Sequence, residues 1–380
     1  YKEIVEESMI VRSCPNIDEE LLLSLLNNRN LQETAFQSAN VFFFNSGSSS
    51  LRFFLSLLGS NKRIGLQVFT CPTVLEAVNM SGCIPVFMDI NKDYFTTTLD
   101  IVSQHIHLID VLILTHICGV PNPDYIEVKE LCKKNGIVLI DDLCQTFQAK
   151  VSNQLLEDLS ENYFYSFFFD KPIAAASGGM LKVSADLYKK ALLAYKRLPK
   201  ENSDTGKKLL RKLYWMNKLL DPKLYSRDFR TDTIWDEFLL EYYPLSLNIK
   251  YLHGLLYSKI GVLFAKLRLK TSKHSIRRMS DIQRFYILRQ LEQFTSTNHR
   301  LINYCLKHRI ELPSYLTNDR IECSLSKRCL IKDNSQIEKE GKEIALYNWP
   351  NLICRNKSEF PVAASVLENY INLPLWHNNI

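Results

Sequence analysis

An α/β fold with a mostly parallel sheet sandwiched by helices is predicted by three features of this 380-residue chain. Short apolar runs recur between residues 40 and 185. Helical patterns alternate with them. Polar residues gather where several of the runs stop. Continuous apolar runs suit strands buried on both faces, and their alternation with helices is the βαβ rhythm of a doubly wound sheet.

The runs are Val41–Phe44, Ile64–Phe69, Pro85–Ile90, Val111–Thr115, Ile137–Asp141, Tyr163–Phe169 and Met180–Val183. Among the helical patterns, Asp124–Lys134 places Val128, Leu131 and Cys132 on one face, ends in two lysines and stops at Gly136. After residue 190 strand signals fade. Leu209–Leu220, Ile234–Tyr243 and Tyr251–Leu269 read as helices, and a further helical pattern runs from Arg278 to Lys307. Short strands and turns follow, including Glu311-Leu312-Pro313 and Cys323–Ile331. These shifts divide the chain into a large α/β domain (1–190), a helical insertion (191–275) and a smaller C-terminal α+β domain (276–380).

Composition narrows the class. The apolar fraction, 46%, is that of a globular protein. Ten cysteines without a CxxC pair suggest reduced thiols in the cytoplasm and no metal site. No apolar run is long enough for a membrane span, and Tyr1–Glu7 does not resemble a signal peptide. The net charge of +6 is uneven: residues 191–280 hold nineteen Lys and Arg against eight Asp and Glu, leaving the remainder at −5. That basic segment suits a nucleotide diphosphate or an anionic membrane surface, or is simply a set of solvated helix faces. It matches no nucleic-acid-binding motif.

Four strand ends carry candidate chemistry. Asn45-Ser46-Gly47-Ser48-Ser49-Ser50 lies between a strand and an apolar helix. Such a turn can hold a phosphate through backbone N–H groups and the helix dipole, or can be an ordinary serine cap. Asp141-Asp142 ends another strand, with Gln145 one turn on; a carboxylate there can hold a pyridinium nitrogen, cap a helix or bind magnesium. His116 ends a third strand and either meets substrate or makes a structural hydrogen bond. Lys171 follows the most apolar run, where desolvation is expected to lower its pKa and expose a nucleophilic amine; the plain alternative is a lysine reaching water. The serine cup, the acidic strand end and the lysine together look like a pocket for pyridoxal phosphate.

In this order the motifs resemble the DegT/StrS-type sugar aminotransferases, which are fold-type I pyridoxal phosphate enzymes. The resemblance rests on Ser46-Gly47-Ser48, Asp141-Asp142-Leu143-Cys144-Gln145, Ser166-Phe167-Phe168-Phe169-Asp170-Lys171 and Gly178-Gly179-Met180. It also rests on Gly82–Ile90, Thr115–Gly119, Phe360-Pro361-Val362-Ala363 and Asn372-Leu373-Pro374-Leu375. It covers about 15–185 and 276–377. It implies that Lys171 carries the cofactor as a Schiff base and shuttles a proton. Asp142 would hold the ring nitrogen and Gln145 the ring hydroxyl. Gly47, Ser48, Ser49 and Ser166 would hold the phosphate. Glutamate would donate nitrogen, giving the pyridoxamine form, for a keto group on a nucleotide-linked deoxysugar. A homodimer is implied, with Arg278 near the neighbour's pocket.

There are departures from the family pattern. Its ring-stacking aromatic falls near Cys71, with Phe69 two residues away. The asparagine of its Asn-x-Arg-Met-Ser-Glu is replaced by Ile276, and about 60 residues are inserted between Lys171 and Arg278. A turnover-deficient relative that binds a sugar nucleotide or a protein partner is therefore the alternative. The dehydratase branch of the family has histidine at the lysine position, and Lys171 argues against it.

Overall fold

The computed structural model describes residues 17–27, 40–219, 275–332 and 351–375, apart from 169, 327 and 355. Seven strands form the central sheet: β1 (Val41–Phe44), β2 (Arg63–Gln67), β3 (Ile84–Met88), β4 (Val111–Thr115), β5 (Val138–Asp142), β6 (Tyr163–Ser166) and β7 (Gly179–Lys182). Their order is β1-β7-β6-β5-β4-β2-β3. Pairing is parallel from β6 through β5, β4 and β2 to β3, whereas β7 runs antiparallel to both β1 and β6. The carboxyl ends of β1, β4, β5 and β6 thus share an edge with the amino end of β7. This is the fold-type I architecture.

Among the described residues, the helices of seven or more residues are, in chain order, α1 (Glu19–Asn27), α2 (Gly47–Leu58), α3 (Pro72–Met80), α4 (Leu99–His105), α5 (Tyr125–Lys134), α6 (Ala185–Lys196), α7 (Ser203–Leu219), α8 (Asp281–Gln293), α9 (Asn298–His308) and α10 (Pro361–Asn369). Both faces of the sheet are buried. Phe42 and Phe44 of β1 enter one core with Phe53 and Phe54 of α2, while Phe43 enters the other with Tyr165 and Phe167. The alternation follows from the two-residue period of a strand, and burial on both sides explains why the runs read as continuously apolar.

Some expected elements differ. The run ending at Phe169 stops being a strand after Ser166, because Phe167 turns to bond Gly178 (2.9 Å) and leads into the loop that carries Lys171. The pattern from Arg278 to Lys307 is two helices rather than one. Its break at Thr297 has the hydroxyl donating to the Leu325 and Ser326 carbonyls at 3.1 and 3.0 Å, the competition with helix expected of Ser and Thr. Glu311-Leu312-Pro313 forms no strand. The strand expected at Cys323–Ile331 is Arg328–Lys332, β8, paired with Tyr370–Pro374, β9. The Leu209–Leu220 pattern falls in α7. The helices expected at 234–243 and 251–269, and Trp376-His377, lie outside the described residues. Among the described residues no helix is long and apolar enough to cross a membrane.

Two distant sequence motifs meet in the fold. Asp89, just past β3, accepts hydrogen bonds from Val362 and Ala363 N–H at 3.0 and 2.8 Å, capping α10. Phe87 and Phe360 pack edge to face beside it. Asp89→Ala should lower stability by about 1–2 kcal/mol, measured by urea denaturation.

At the opposite edge of the sheet, Asp110 is held down to about 2 by hydrogen bonds from the Arg63 side chain first and the Arg63 backbone second. A depressed carboxyl pKa stabilises the fold above the unfolded value of about 4. That contribution is lost as pH falls from about 4 towards 2. Asp110→Asn should flatten this part of the stability–pH curve and leave activity unchanged.

Candidate functional site

The serine turn opens α2. Ser46 is extended (φ −163°, ψ 161°), and its Oγ accepts the Ser49 N–H at 3.0 Å while donating to Ser49 Oγ at 2.9 Å. Ser50 N–H returns to the Ser46 carbonyl at 3.1 Å. The amides of Gly47 and Ser48 remain as the outward donors of the first turn. The Ser48 hydroxyl, half-buried, has no hydrogen-bond partner among the described residues. Gly47 packs against the end of β6: a Cβ there would stand 2.7 Å from Ser166 Cβ. The cup and Ser166 therefore form one wall.

The two aspartates at the end of β5 separate by strand alternation. Asp141, 1% exposed, accepts from Tyr125 Oη at 2.9 Å, from Ser160 Oγ, and from His116 Nε2 at 3.3 Å. His116, 0% exposed, also accepts the Asn122 N–H on Nδ1 at 3.1 Å, an arrangement that puts the ring proton on Nε2. Both are held in the wall. Asp142, buried too, accepts the Cys144 N–H on Oδ1 at 3.0 Å. Burial raises its pKa; hydrogen bonding from Cys144 and the charge of Lys171 oppose this without cancelling it. A buried carboxyl in that state is the group that a cationic ligand would stabilise.

Gln145 has a defined orientation. Its Oε1 accepts the Cys118 N–H at 3.1 Å, so its amide NH2 is the end left to donate. Cys118 adopts a left-handed φ of 54° at that point.

Lys171 is 7% exposed. The expected fall in its pKa is not found. Burial is the largest influence and acts downward, but Asp170, followed by Cys144 and Cys71, moves the net value upward. Asp170 carries this effect at neutral pH, since burial pushes the Cys144 thiol well up and keeps it neutral. Asp170 is itself paired with Arg328 of β8 at 2.8 Å, and its carboxyl lies below the ordinary range: burial acts upward, but Lys171 and Arg328 outweigh it. Sequence reasoning missed Arg328. The available signal was an arginine within the Cys323–Ile331 strand pattern.

The remaining candidates lie farther out. Arg278 sits beside the free edge of β1, where Met279 N–H bonds the Phe43 carbonyl at 3.1 Å. Its Nε donates to the Leu198 carbonyl at 3.0 Å, and its guanidinium lies 5.8 Å from the Tyr195 ring centroid. Phe69 is 1% exposed in the core. Cys71 is half-buried at the start of α3. No group of three His, Cys, Asp or Glu among the described residues could hold a metal ion.

A serine cup, an amine and a buried carboxylate with few donors thus line one end of the sheet. They complement a ligand with a phosphate, a carbonyl and a protonatable ring nitrogen.

Residues 32–217 match the DegT/DnrJ/EryC1/StrS aminotransferase family. The match takes in just under half of the chain. A curated relative, the UDP-N-acetyl-3-dehydro-α-D-glucosamine 3-aminotransferase of Acidithiobacillus ferrooxidans, is 28% identical over 144 residues, 37% of this chain and 39% of the relative. GDP-perosamine synthase of Vibrio cholerae is 24% identical over 145 residues, with 37% and 39% coverage. The chain thus spans about two fifths of the length of these relatives. Among solved structures, the sugar aminotransferase Spr1654 of Streptococcus pneumoniae in its PMP form superposes with a TM-score of 0.65 at 16% identity, covering 97% of this chain and 93% of that one. The aminotransferase TlmJ of Streptoalloteichus hindustanus gives 0.64 at 15%, with 96% and 93% coverage. These likenesses establish the fold.

The two aspartates should respond differently to amidation. Asp141→Asn replaces a buried charge held by three donors and should cost about 2 kcal/mol or more. Asp142→Asn should leave the ligand-free protein as stable or stabilise it, because its burial is only partly offset by Cys144 and Lys171. Parallel denaturation curves check both.

Proposed function

We propose that this chain is a pyridoxal-phosphate-dependent aminotransferase that moves an amino group from glutamate to a keto group of a nucleotide-linked deoxysugar. The observation that carries the reading is the placement of Lys171 and Asp142, both nearly fully buried, with the charge of Lys171 acting on the Asp142 carboxyl. The family match over residues 32–217 supports it. So do curated relatives named for UDP-, GDP- and dTDP-linked sugars. When bound, pyridoxal phosphate supplies an aldehyde that takes up the amine and a ring that stores the electrons of the broken C–H bond.

The residues divide the work. The amides of Gly47 and Ser48, with the hydroxyls of Ser48, Ser49 and Ser166, bind the phosphate. Asp142 holds the ring nitrogen protonated, kept in place by the Cys144 N–H. Gln145 donates its NH2 to the ring oxygen. Lys171 Nζ holds the cofactor and then takes and returns the proton at the reacting carbon. Asp170, restrained by Arg328, balances the charge of that amine. His116 supports Asp141 in the wall, and Cys71 lies where the family places its ring-stacking aromatic. The chain acts as a cytoplasmic homodimer with Arg278 towards the neighbour's pocket. The basic segment 191–275 draws in the diphosphate, and contact with an anionic membrane is the other role its charge suits.

Lys171→Ala should abolish transamination between glutamate and keto sugar. Asp142→Asn should retain cofactor but lose about a hundredfold or more in kcat. Gly47→Ala, with its methyl pressed on Ser166, should raise the Kd for pyridoxal phosphate roughly tenfold while leaving the circular dichroism unchanged. Cofactor titration and steady-state assays decide the three together. An active Lys171→Ala protein would contradict the reading, and a wild-type chain that binds nucleotide sugar without turnover would identify the non-catalytic alternative.

A further inference from the structure

The loop after Lys171 is buried without belonging to helix or strand. Ile173, Ala174, Ala175 and Ala176 are all 4% exposed or less. Buried peptide groups require partners, and three successive alanines bring no polar side chains of their own. Ala175 N–H reaches the Phe167 carbonyl at 2.8 Å. Helix α8 supplies partners for four more of the loop's peptide groups. Gln290 takes both groups of Ala174, with Oε1 accepting its N–H at 3.2 Å and Nε2 donating to its carbonyl at 2.7 Å. Gln283 Nε2 donates to the carbonyls of Ala175 and Ser177 at 3.2 and 2.6 Å.

The two glutamines are seven residues apart, two helical turns on one face. They are 0% and 8% exposed, and the same helix buries Ile282, Tyr286 and Ile287. Amides on a buried face are costly unless hydrogen-bonded; here their partners are the backbone of a single loop. That loop is also bent, with Ala176 at φ 61° and Gly178 at φ 125°, a conformation that must be held from outside. Lys171 therefore stands between two anchors: Asp170 on Arg328, and Ala174 on Gln290. At its start α8 meets α7, where Gly206 packs directly on Ser280 and Ile282.

We propose that Gln283 and Gln290 are positioning residues which fix the Lys171 amine relative to the site. Helix α8, on which the first helix of the basic segment rests, is thus the surface that locates the lysine. The proposal rests on Lys171 being the reacting group of the proposed function.

The test uses Gln290→Leu and Gln283→Leu, near-isosteric changes that remove the clamp at either end. The full-length chain is first freed of cofactor by hydroxylamine dialysis. It is then labelled with trace acetic anhydride across a pH series, and Lys171 and Lys182 are quantified by mass spectrometry. Lys182 is the control, since its amine is tied to the Glu157 and Ser160 carbonyls at 2.9 Å, away from the loop. The expected result is a several-fold change in Lys171 labelling with a displaced pH midpoint, Lys182 unchanged, and kcat of the reconstituted enzyme down roughly tenfold with a smaller change in KM. If Gln290→Leu does not fold, Gln283→Leu gives the same readout. Unchanged Lys171 labelling, or equal changes at Lys171 and Lys182, overturns the proposal. Because the labelling needs no cofactor, an inactive wild-type enzyme would refute the aminotransferase reading without altering this result.

Discussion

Burying the amine of Lys171 is the constraint on which the rest of the site depends. An ammonium removed from water is unfavourable unless a counter-charge accompanies it. Asp170 provides that charge one residue away, and Arg328 prevents Asp170 from becoming a second unpaired ion. The outcome is an amine that is buried and still strongly basic. Arg328 comes from β8, which is paired to β9 near the end of the chain, so the C-terminal strands take part in the electrostatics of a loop 158 residues earlier.

The antiparallel strand β7 has a comparable role for geometry. It lies between β1 and β6, and its first residue Gly179, with Gly178 just before it, runs beside Ser46 and Phe167. A side chain at Gly179 would enter the Ser46 carbonyl. The glycine pair thus lets the serine cup, Ser166 and the lysine loop come together at one edge. Close backbone approach, rather than any single hydrogen bond, builds the anion wall.

Much of this was legible in the sequence where the signal is local. Strands buried on both faces are apolar runs, so β1, β4 and β6 start where the runs start. Ser46 is placed by its spacing to the helix. The chemistry of Lys171 was only half legible: its burial follows from the apolar run, but the direction of its pKa depends on Asp170 and on Arg328, which no spacing connects to it. Asp141 and Asp142 looked interchangeable until Tyr125, Ser160 and His116 were seen to occupy the first. Gln283 and Gln290 resembled ordinary helix residues, because a periodic pattern records which face is buried and not what that face touches. The break at Thr297 was hidden because its partners, the carbonyls of Leu325 and Ser326, lie far along the chain.

The central claim is that Lys171 alone forms the covalent link to pyridoxal phosphate. Borohydride reduction of the cofactor-loaded protein, followed by digestion and mass spectrometry, tests it most directly. The account predicts one pyridoxyl-modified peptide, containing Lys171. Modification at another lysine, or none in a protein that binds the cofactor and turns over, would contradict it.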